Sequence, residues 1–280
     1  ALALTDVGDR VLMESPCYWG ARNVFIAMGA TVENLPWSPE TGHAQRHAAL
    51  PVQLAYFTGS HHYPLSVATS RTQRQALCDS ALPRYIMEDD YEFDGKDGGS
   101  LMFDARSSQH LLVGSFSKLM FPGLRLGYLV VPANLVAPFN QLRSEVFREG
   151  RLLDQAALAQ FIADGELDAW YRRIQRDYLA RQQVMHDQLA QVPGVTHISP
   201  PSHSISLCIQ FSREVDDRRI ARKLLQSHLI TRPLSPVCAD NDPRSGLILG
   251  IGMLSGRTLA NEATRLRHTL ARLLSTPAST

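Results

Sequence analysis

GSFSKLMFPGLRLGYLVVP, residues 114–132, sets one lysine between two apolar runs. The first run, HLLV at 110–113, ends in small and hydroxyl residues. Lys118 follows Ser115 and Ser117, Pro122-Gly123 makes a corner, and Arg125 leads into the second run. The pattern predicts a strand, an exposed loop, and a second strand starting at Arg125. Leu126, Tyr128 and Val130 would face one side of it, and Leu129 and Val131 the other. Two hydroxyls and a guanidinium around one amine suit an anionic ligand with a reactive carbonyl. The amine can form a Schiff base and the arginine can hold a phosphate. A surface loop with an ordinary lysine and arginine would share this spacing.

Upstream, RYIME at 84–88 is a short apolar run that ends in Glu88, Asp89 and Asp90, followed by Tyr91. Open α/β sheets bind ligands just past the carboxyl ends of their strands, where these acids would stand. A carboxylate opposite a pyridine nitrogen keeps that nitrogen protonated and the ring an electron sink. Tyr91 is equally compatible with simple packing beside a sheet.

EDDY at 88–91, together with SFSKLMFPGLRLGY at 115–128, resembles the pyridoxal-phosphate enzymes of the aspartate aminotransferase fold. In particular it resembles the aminotransferase-like domain of MocR-type regulators of the GntR family. TGSHHYP at 58–64 is similar to that group's Ser-His-Gln-aromatic-Pro loop. The resemblance covers nearly the whole chain. It implies an α/β protein of fold type I. Residues 1–165 would form a large mixed-sheet domain whose front part precedes Ala1. Residues 166–190 would be a long connecting helix, and 191–280 a smaller α+β domain.

The resemblance also implies a cofactor, pyridoxal 5′-phosphate, and a set of roles. Lys118 would carry it as a Schiff base and act as general base. Asp89 would pair with the ring nitrogen and Tyr91 with the phenolic oxygen. Ser115, Ser117 and Arg125 would clamp the phosphate, and Tyr18 would stack on the ring. His61 and His62 would lie in a loop over the cofactor, although Tyr18 and the histidines are also ordinary aromatic and polar loop residues.

Three departures from the family pattern stand out. His62 replaces the usual glutamine. The segment that normally follows Tyr91 is shortened, so that EFDG at 92–95 comes at once. The arginine that usually grips a substrate carboxylate is missing from GLILGIG at 246–252, where its place falls near Ile248. Arg244 and Arg232 stand nearby, neither expected in register.

The implied partners are a small amine or amino acid and a second copy of the chain. DNA would be met only through an N-terminal domain not in this sequence. Three functions fit: an effector-sensing domain of a regulator, a free-standing aminotransferase, and a remnant of the fold without cofactor.

Composition narrows the classes. The chain has 280 residues, 44% of them hydrophobic, enough for a sizeable core and one or two domains. Lys plus Arg (28) nearly balances Asp plus Glu (27), so the charge of +1 demands no nucleic acid or acidic partner. Arg172, Arg173, Arg176 and Arg181 spread around one predicted helix with Asp177 and Asp187 among them, as on a solvated face. Cys17, Cys78, Cys208 and Cys238 have no close spacing, which predicts neither zinc nor disulfides and suits a reducing cytoplasm. His43 and His47 are spaced like helix-face ligands but lack an acidic or cysteine companion, so no metal is expected. No apolar run reaches transmembrane length and no signal peptide is visible. The opening ALALTDVGDRV has no initiator methionine and reads as the interior of a longer protein.

The remaining periodicities predict strands at 10–14, 31–35, 50–57, 84–89, 195–198, 205–211, 229–234 and 246–252. Helices are predicted at 20–28, 69–80, 135–148, 152–163, 167–189 and 259–274, with Asp216 or Asp217 capping another that runs to His228. DGKDGGS at 94–100 reads as a turn-rich loop.

Overall fold

The computed structural model describes residues 1–38, 42–43, 51–59, 61–81, 83–91, 100–101, 108–148 and 150–275. His47 and the segment after Tyr91 lie outside these residues. The chain divides into two compact units, residues 1–62 with 68–172, and residues 63–67 with 173–280.

The first unit is built on a seven-stranded sheet. Its strands are β1 (Arg10–Ser15), β2 (Thr31–Ser38), β3 (Gly42–His43), β4 (Leu54–Thr58), β7 (Tyr85–Asp89), β8 (His110–Ser115) and β9 (Gly127–Val130). The two-residue strands β5 (His61–His62) and β6 (Val67–Ala68) lie outside it. The spatial order is β3-β2-β1-β4-β7-β8-β9. The five strands from β2 to β8 run parallel, with β3 and β9 antiparallel at the edges. Parallel strands buried on both faces need continuous apolar runs, as in LAYFT of β4, every residue of which is buried.

Alternation along the strands divides the core in two. Val11, Met13, Leu54, Tyr56 and Leu111 pack with Phe25 on one face; Leu12, Ala55, Phe57, Ile86 and Leu101 form the other cluster. Each fully buried Leu or Phe contributes about 1.5–3 kcal/mol. The crossovers include α1 (Trp19–Ala27) between β1 and β2 and α2 (Arg71–Ala81) between β4 and β7. Gly29, at φ 82°, turns the chain out of α1, a backbone angle that suits glycine.

The loop expected after β8 starts as a helical turn, α3 (Phe116–Leu119), and Pro122–Leu124 form a 3₁₀ turn. The strand expected at Arg125 begins two residues later, at Gly127. Arg125 is left-handed, φ 52° and ψ 34°, which ends the extended run. α4 (Ala133–Leu142) passes into a wider helical segment at Arg143–Phe147, followed by α5 (Leu152–Ala163). α6 (Glu166–Leu189) starts in this unit and continues into the second.

The second unit has a four-stranded antiparallel sheet ordered β10-β11-β13-β12. These strands are β10 (Val195–Ile198), β11 (Ser206–Phe211), β12 (Arg232–Pro233) and β13 (Ser245–Gly250). Leu207, Ile209, Leu247 and Leu249 meet Met185 and Leu189 of α6, Ile220 and Leu224 of α7 (Asp217–Gln226), and Leu266 and Leu270 of α8 (Gly256–Ser275). Asp216 is the cap of α7, accepting from Arg219 N–H at 2.9 Å.

Asp217 is buried and acts differently. It accepts from the N–H groups of Leu234, Ser235 and Gly246 and from the Ser235 hydroxyl, at 2.6–3.1 Å. These bonds gather the chain around Leu234, and the predicted strand 229–234 is reduced to Arg232–Pro233. Arg232 pairs directly across from Ile248, so one of the two arginines expected out of register is in register. Arg244 is held by Asp242, with Nε 2.8 Å from Oδ1 and a terminal nitrogen 2.6 Å from Oδ2.

Candidate functional site

The parallel strands of the first unit all end at one edge, and the chemistry-bearing residues collect there. β1 ends at Ser15, β4 at Thr58, β7 at Asp89 and β8 at Ser115. Asp89 N and O sit within the ladder: Thr58 is its register partner on β4 and Val113 its partner on β8.

Lys118 lies on α3, immediately past β8, with an exposed side chain. Its turn is fixed at several points. Phe116 N–H donates to Leu126 O at 3.1 Å, which closes the loop at its base. Met120 N–H donates to Phe116 O at 2.9 Å, and the indole N–H of Trp170 donates to Leu119 O at 2.6 Å. Ser115 is the extended residue that precedes α3, and Ser117 is within it. Arg125 stands in the same loop with an exposed side chain. A non-glycine residue held left-handed costs on the order of 1 kcal/mol or more, and such positions cluster at ligand-binding loops.

Gly114 admits the ring of Tyr128, its register partner. A Cβ on Gly114 would lie 2.0 Å from Tyr128 Cζ, so no larger residue fits with that ring in place. Tyr128 also meets Phe116 at 5.4 Å between ring centres. Burial, with Asp90 nearby, pushes the Tyr128 phenol up.

Asp89 is the most perturbed acid of this edge. Burial pushes its carboxyl up to about 6 from 3.8. A hydrogen bond donated by Tyr56 Oη to Asp89 Oδ2 opposes that rise, Asp90 adds to it, and the Lys118 ammonium opposes it. Asp89 and Lys118 therefore lie within electrostatic reach of one another. Asp90 is buried; its N–H donates to Val113 O at 2.8 Å, and its side chain packs so closely on Gly59 that a Cβ there would come within 2.8 Å. Tyr91 follows directly, half-buried.

Tyr18 sits on the turn from β1 into α1, 38% exposed, its ring over Gly20 and 5.9 Å from that of Trp19. His62 is placed quite differently, with no exposed surface. Its ring stacks on Trp37 at 4.1 Å and 19°, and its Nε2 is 3.8 Å from Glu14 Oε2. Glu14 in turn accepts from the N–H and hydroxyl of Thr58 at 2.8 and 2.9 Å. His62 thus belongs to a buried polar cluster beneath the strand ends. His61 is also buried.

Three participants lay beyond sequence reasoning: Tyr56, Glu14 and Trp170. Each acts across a long separation in the chain, and only Tyr56 had even an indirect signal, a polar aromatic among the aliphatic residues of a central strand.

The arrangement offers an exposed amine in Lys118, in a loop that also carries Ser115, Ser117 and Arg125. It can also present a desolvated carboxylate that gains from a cationic N–H donor. No group of His, Cys, Asp and Glu among the described residues is arranged to hold a metal ion.

A family model described as aminotransferase class I and II matches residues 1–247. The regulator "Probable rhizopine catabolism regulatory protein MocR" of Rhizobium meliloti is 29% identical over 285 residues, covering 99% of this chain and 58% of its own length. The "HTH-type transcriptional regulator TauR" of Rhodobacter capsulatus is 37% identical over 191 residues, covering 66% of this chain and 39% of its own. The chain thus spans less than two thirds of the length of each of these two regulators. Among solved structures, LysN of Thermus thermophilus, an alpha-aminoadipate aminotransferase complexed with N-(5′-phosphopyridoxyl)-L-leucine, superposes with a TM-score of 0.85. It is 21% identical, and the match covers 98% of this chain and 74% of LysN.

Proposed function

The chain belongs to the aminotransferase class I and II family, and from that premise we propose that it is the pyridoxal-phosphate-binding, effector-sensing part of a bacterial transcriptional regulator. The observation that carries the cofactor reading is that the exposed Lys118 amine lies within electrostatic reach of the buried Asp89 carboxylate at one edge of the parallel sheet. The donor set fits the group. A carboxylate pushed toward neutrality by burial is relieved by a cationic ring N–H. Two hydroxyls and a guanidinium beside the lysine suit a phosphate.

Bound there, pyridoxal phosphate supplies an electron-withdrawing ring that stabilises negative charge on a carbon next to an amine. The residues do the rest. Lys118 would hold the cofactor through its Nζ and move a proton there. Asp89 would keep the ring nitrogen protonated. Ser115, Ser117 and Arg125 would hold the phosphate, Tyr18 would pack on the ring, and Tyr91 would donate a hydrogen bond to the cofactor. The ligand sensed is a small amine or amino acid.

The names of MocR and TauR support the regulatory role, with DNA reached through another part of the full-length protein. Exposed apolar side chains on the α4–α5 stretch, Val136, Val146, Phe147, Leu152, Leu153 and Ile162, support a homodimer. No helix among the described residues is long and apolar enough to cross a membrane. A second reading, a working aminotransferase, is favoured by the presence of both Lys118 and Asp89.

The test is uptake of pyridoxal phosphate by the purified chain, read as a visible absorption band and, after borohydride, as a stable mass adduct on Lys118. Lys118→Ala is expected to abolish the adduct. A chain that gains no band, or a variant that keeps the adduct, would overturn the proposal. Conversion of bound cofactor to its amine form by a panel of amino acids would favour the enzyme over the sensor.

A further inference from the structure

We propose that Tyr56 is a positioning residue for Asp89, its hydroxyl holding one carboxylate oxygen and keeping the group ionised and turned toward the edge where Lys118 stands. This rests on the reading of Asp89 as the ring-nitrogen partner and assigns a role to a residue outside the family motifs quoted above.

The geometry is specific. Tyr56 is on β4, the strand beside β7, two residues before Thr58, the register partner of Asp89. Tyr56 and Thr58 point to the same face, so the Tyr56 ring extends toward the strand end from below. The ring is buried and set edge-on to Phe25, 6.1 Å between centres. Little side-chain entropy remains to be lost in making the bond, and Tyr56 Oη is the hydrogen-bond donor to the Asp89 carboxylate among the described residues.

The surrounding charges fix the direction of that bond. Asp89, Glu14 and the Cys17 thiol face the Tyr56 phenol, and burial with these groups raises it well above its ordinary value. The phenol therefore keeps its proton throughout the working range, and Asp89 must accept. Around Asp89 the groups are Tyr56, Asp90 and Lys118. Burial and Asp90 favour the neutral acid; Tyr56 and Lys118 favour the carboxylate. Without Tyr56 only Lys118 opposes the first two, and the Asp89 carboxyl rises further above its ordinary value. A neutral Asp89 cannot keep a ring nitrogen protonated.

The experiment is Tyr56→Phe, which preserves the ring and its packing. Carboxyl ¹³C titration of the cofactor-free protein, assigned with Asp89→Asn, is expected to show the Asp89 pKa higher by about one unit or more. Pyridoxal phosphate should bind at least ten-fold more weakly near pH 7, the deficit narrowing as pH rises through the new pKa. In an Asp89→Asn background the same substitution should leave affinity unchanged, which a purely structural role for the ring would not predict. An Asp89 titration identical in the wild type and Tyr56→Phe overturns the inference, whether or not cofactor binds. Failure of the wild type to take up cofactor overturns the reading of the site, while the titration still decides whether Tyr56 governs this carboxyl.

Discussion

Glu88 and Asp89 are neighbours on one strand, and both carboxyls are raised by burial, yet they serve different ends. Alternation sends them to opposite faces of the sheet. Glu88 is surrounded: the Ser100 hydroxyl and the Leu101 N–H, at 3.0 Å, donate to one oxygen, and Arg74 Nε lies 3.4 Å from the other. Arg74 is itself buried. Asp89 has one phenol donor and a lysine amine in its field. A carboxylate whose partners are all drawn from the scaffold ties segments together. One with a single fixed donor at a strand end keeps the capacity to meet a ligand. The pair Asp216 and Asp217 repeats the lesson in the second unit, with a solvent-side cap next to a buried hub of four donated bonds.

The contrast can be broken by substitution. Glu88→Ala removes the carboxylate beside the buried Arg74 guanidinium, and a loss of about 3–5 kcal/mol is expected in urea unfolding. Next in size, Asp217→Ala removes the acceptor shared by three N–H groups and the Ser235 hydroxyl, of which the Leu234 N–H keeps Gly246 O, and is expected to cost on the order of 3 kcal/mol by the same measurement.

Asp89→Asn should have the opposite sign. The folded carboxyl is raised from 3.8 to about 6, so the native state holds its proton where the unfolded chain has lost it. The stability this provides is fully present below about pH 4 and fades as pH rises through 6. The asparagine variant, free of this term, should be more stable at pH 7 by about 3 kcal/mol and lose the acidic slope in a pH series of melts. It should also bind pyridoxal phosphate more weakly, so that stability and binding move in opposite directions. A variant less stable at pH 7 would place Asp89 with Glu88 as a scaffold group. The smallest effect is expected of Asp216→Ala, about 1 kcal/mol for a lost helix cap.

Much of the fold was legible because its strands are short apolar runs bounded by turn residues. The 84–89 run and the 110–113 run become the neighbouring parallel strands β7 and β8. The second strand of the lysine hairpin was misjudged at its start because the alternation of LRLGY continues through Arg125, while backbone conformation at that residue leaves no trace in a period of two. The α3 turn was missed because one helical turn is too short to show a 3.6-residue pattern. Asp89 and Lys118 could be singled out by residue type and spacing. Tyr56 could not, since the pattern LPVQLAYF says only that it is in a strand, and the hydrogen bond depends on which strand lies next to it. Glu14 and Trp170 were hidden for the same reason. His62 was visible as a loop histidine, but its burial against Trp37 follows from the fold.

The indole bond to Leu119 gives the protein an internal optical probe. The chain has three tryptophans; Trp19 is on the surface, Trp37 is stacked on His62, and Trp170 touches the backbone of the residue after Lys118. A chromophore attached at that lysine would quench Trp170, and a Trp170→Phe variant would separate its emission from the other two. Loading of the lysine could then be followed in real time by fluorescence, without label or coupled assay.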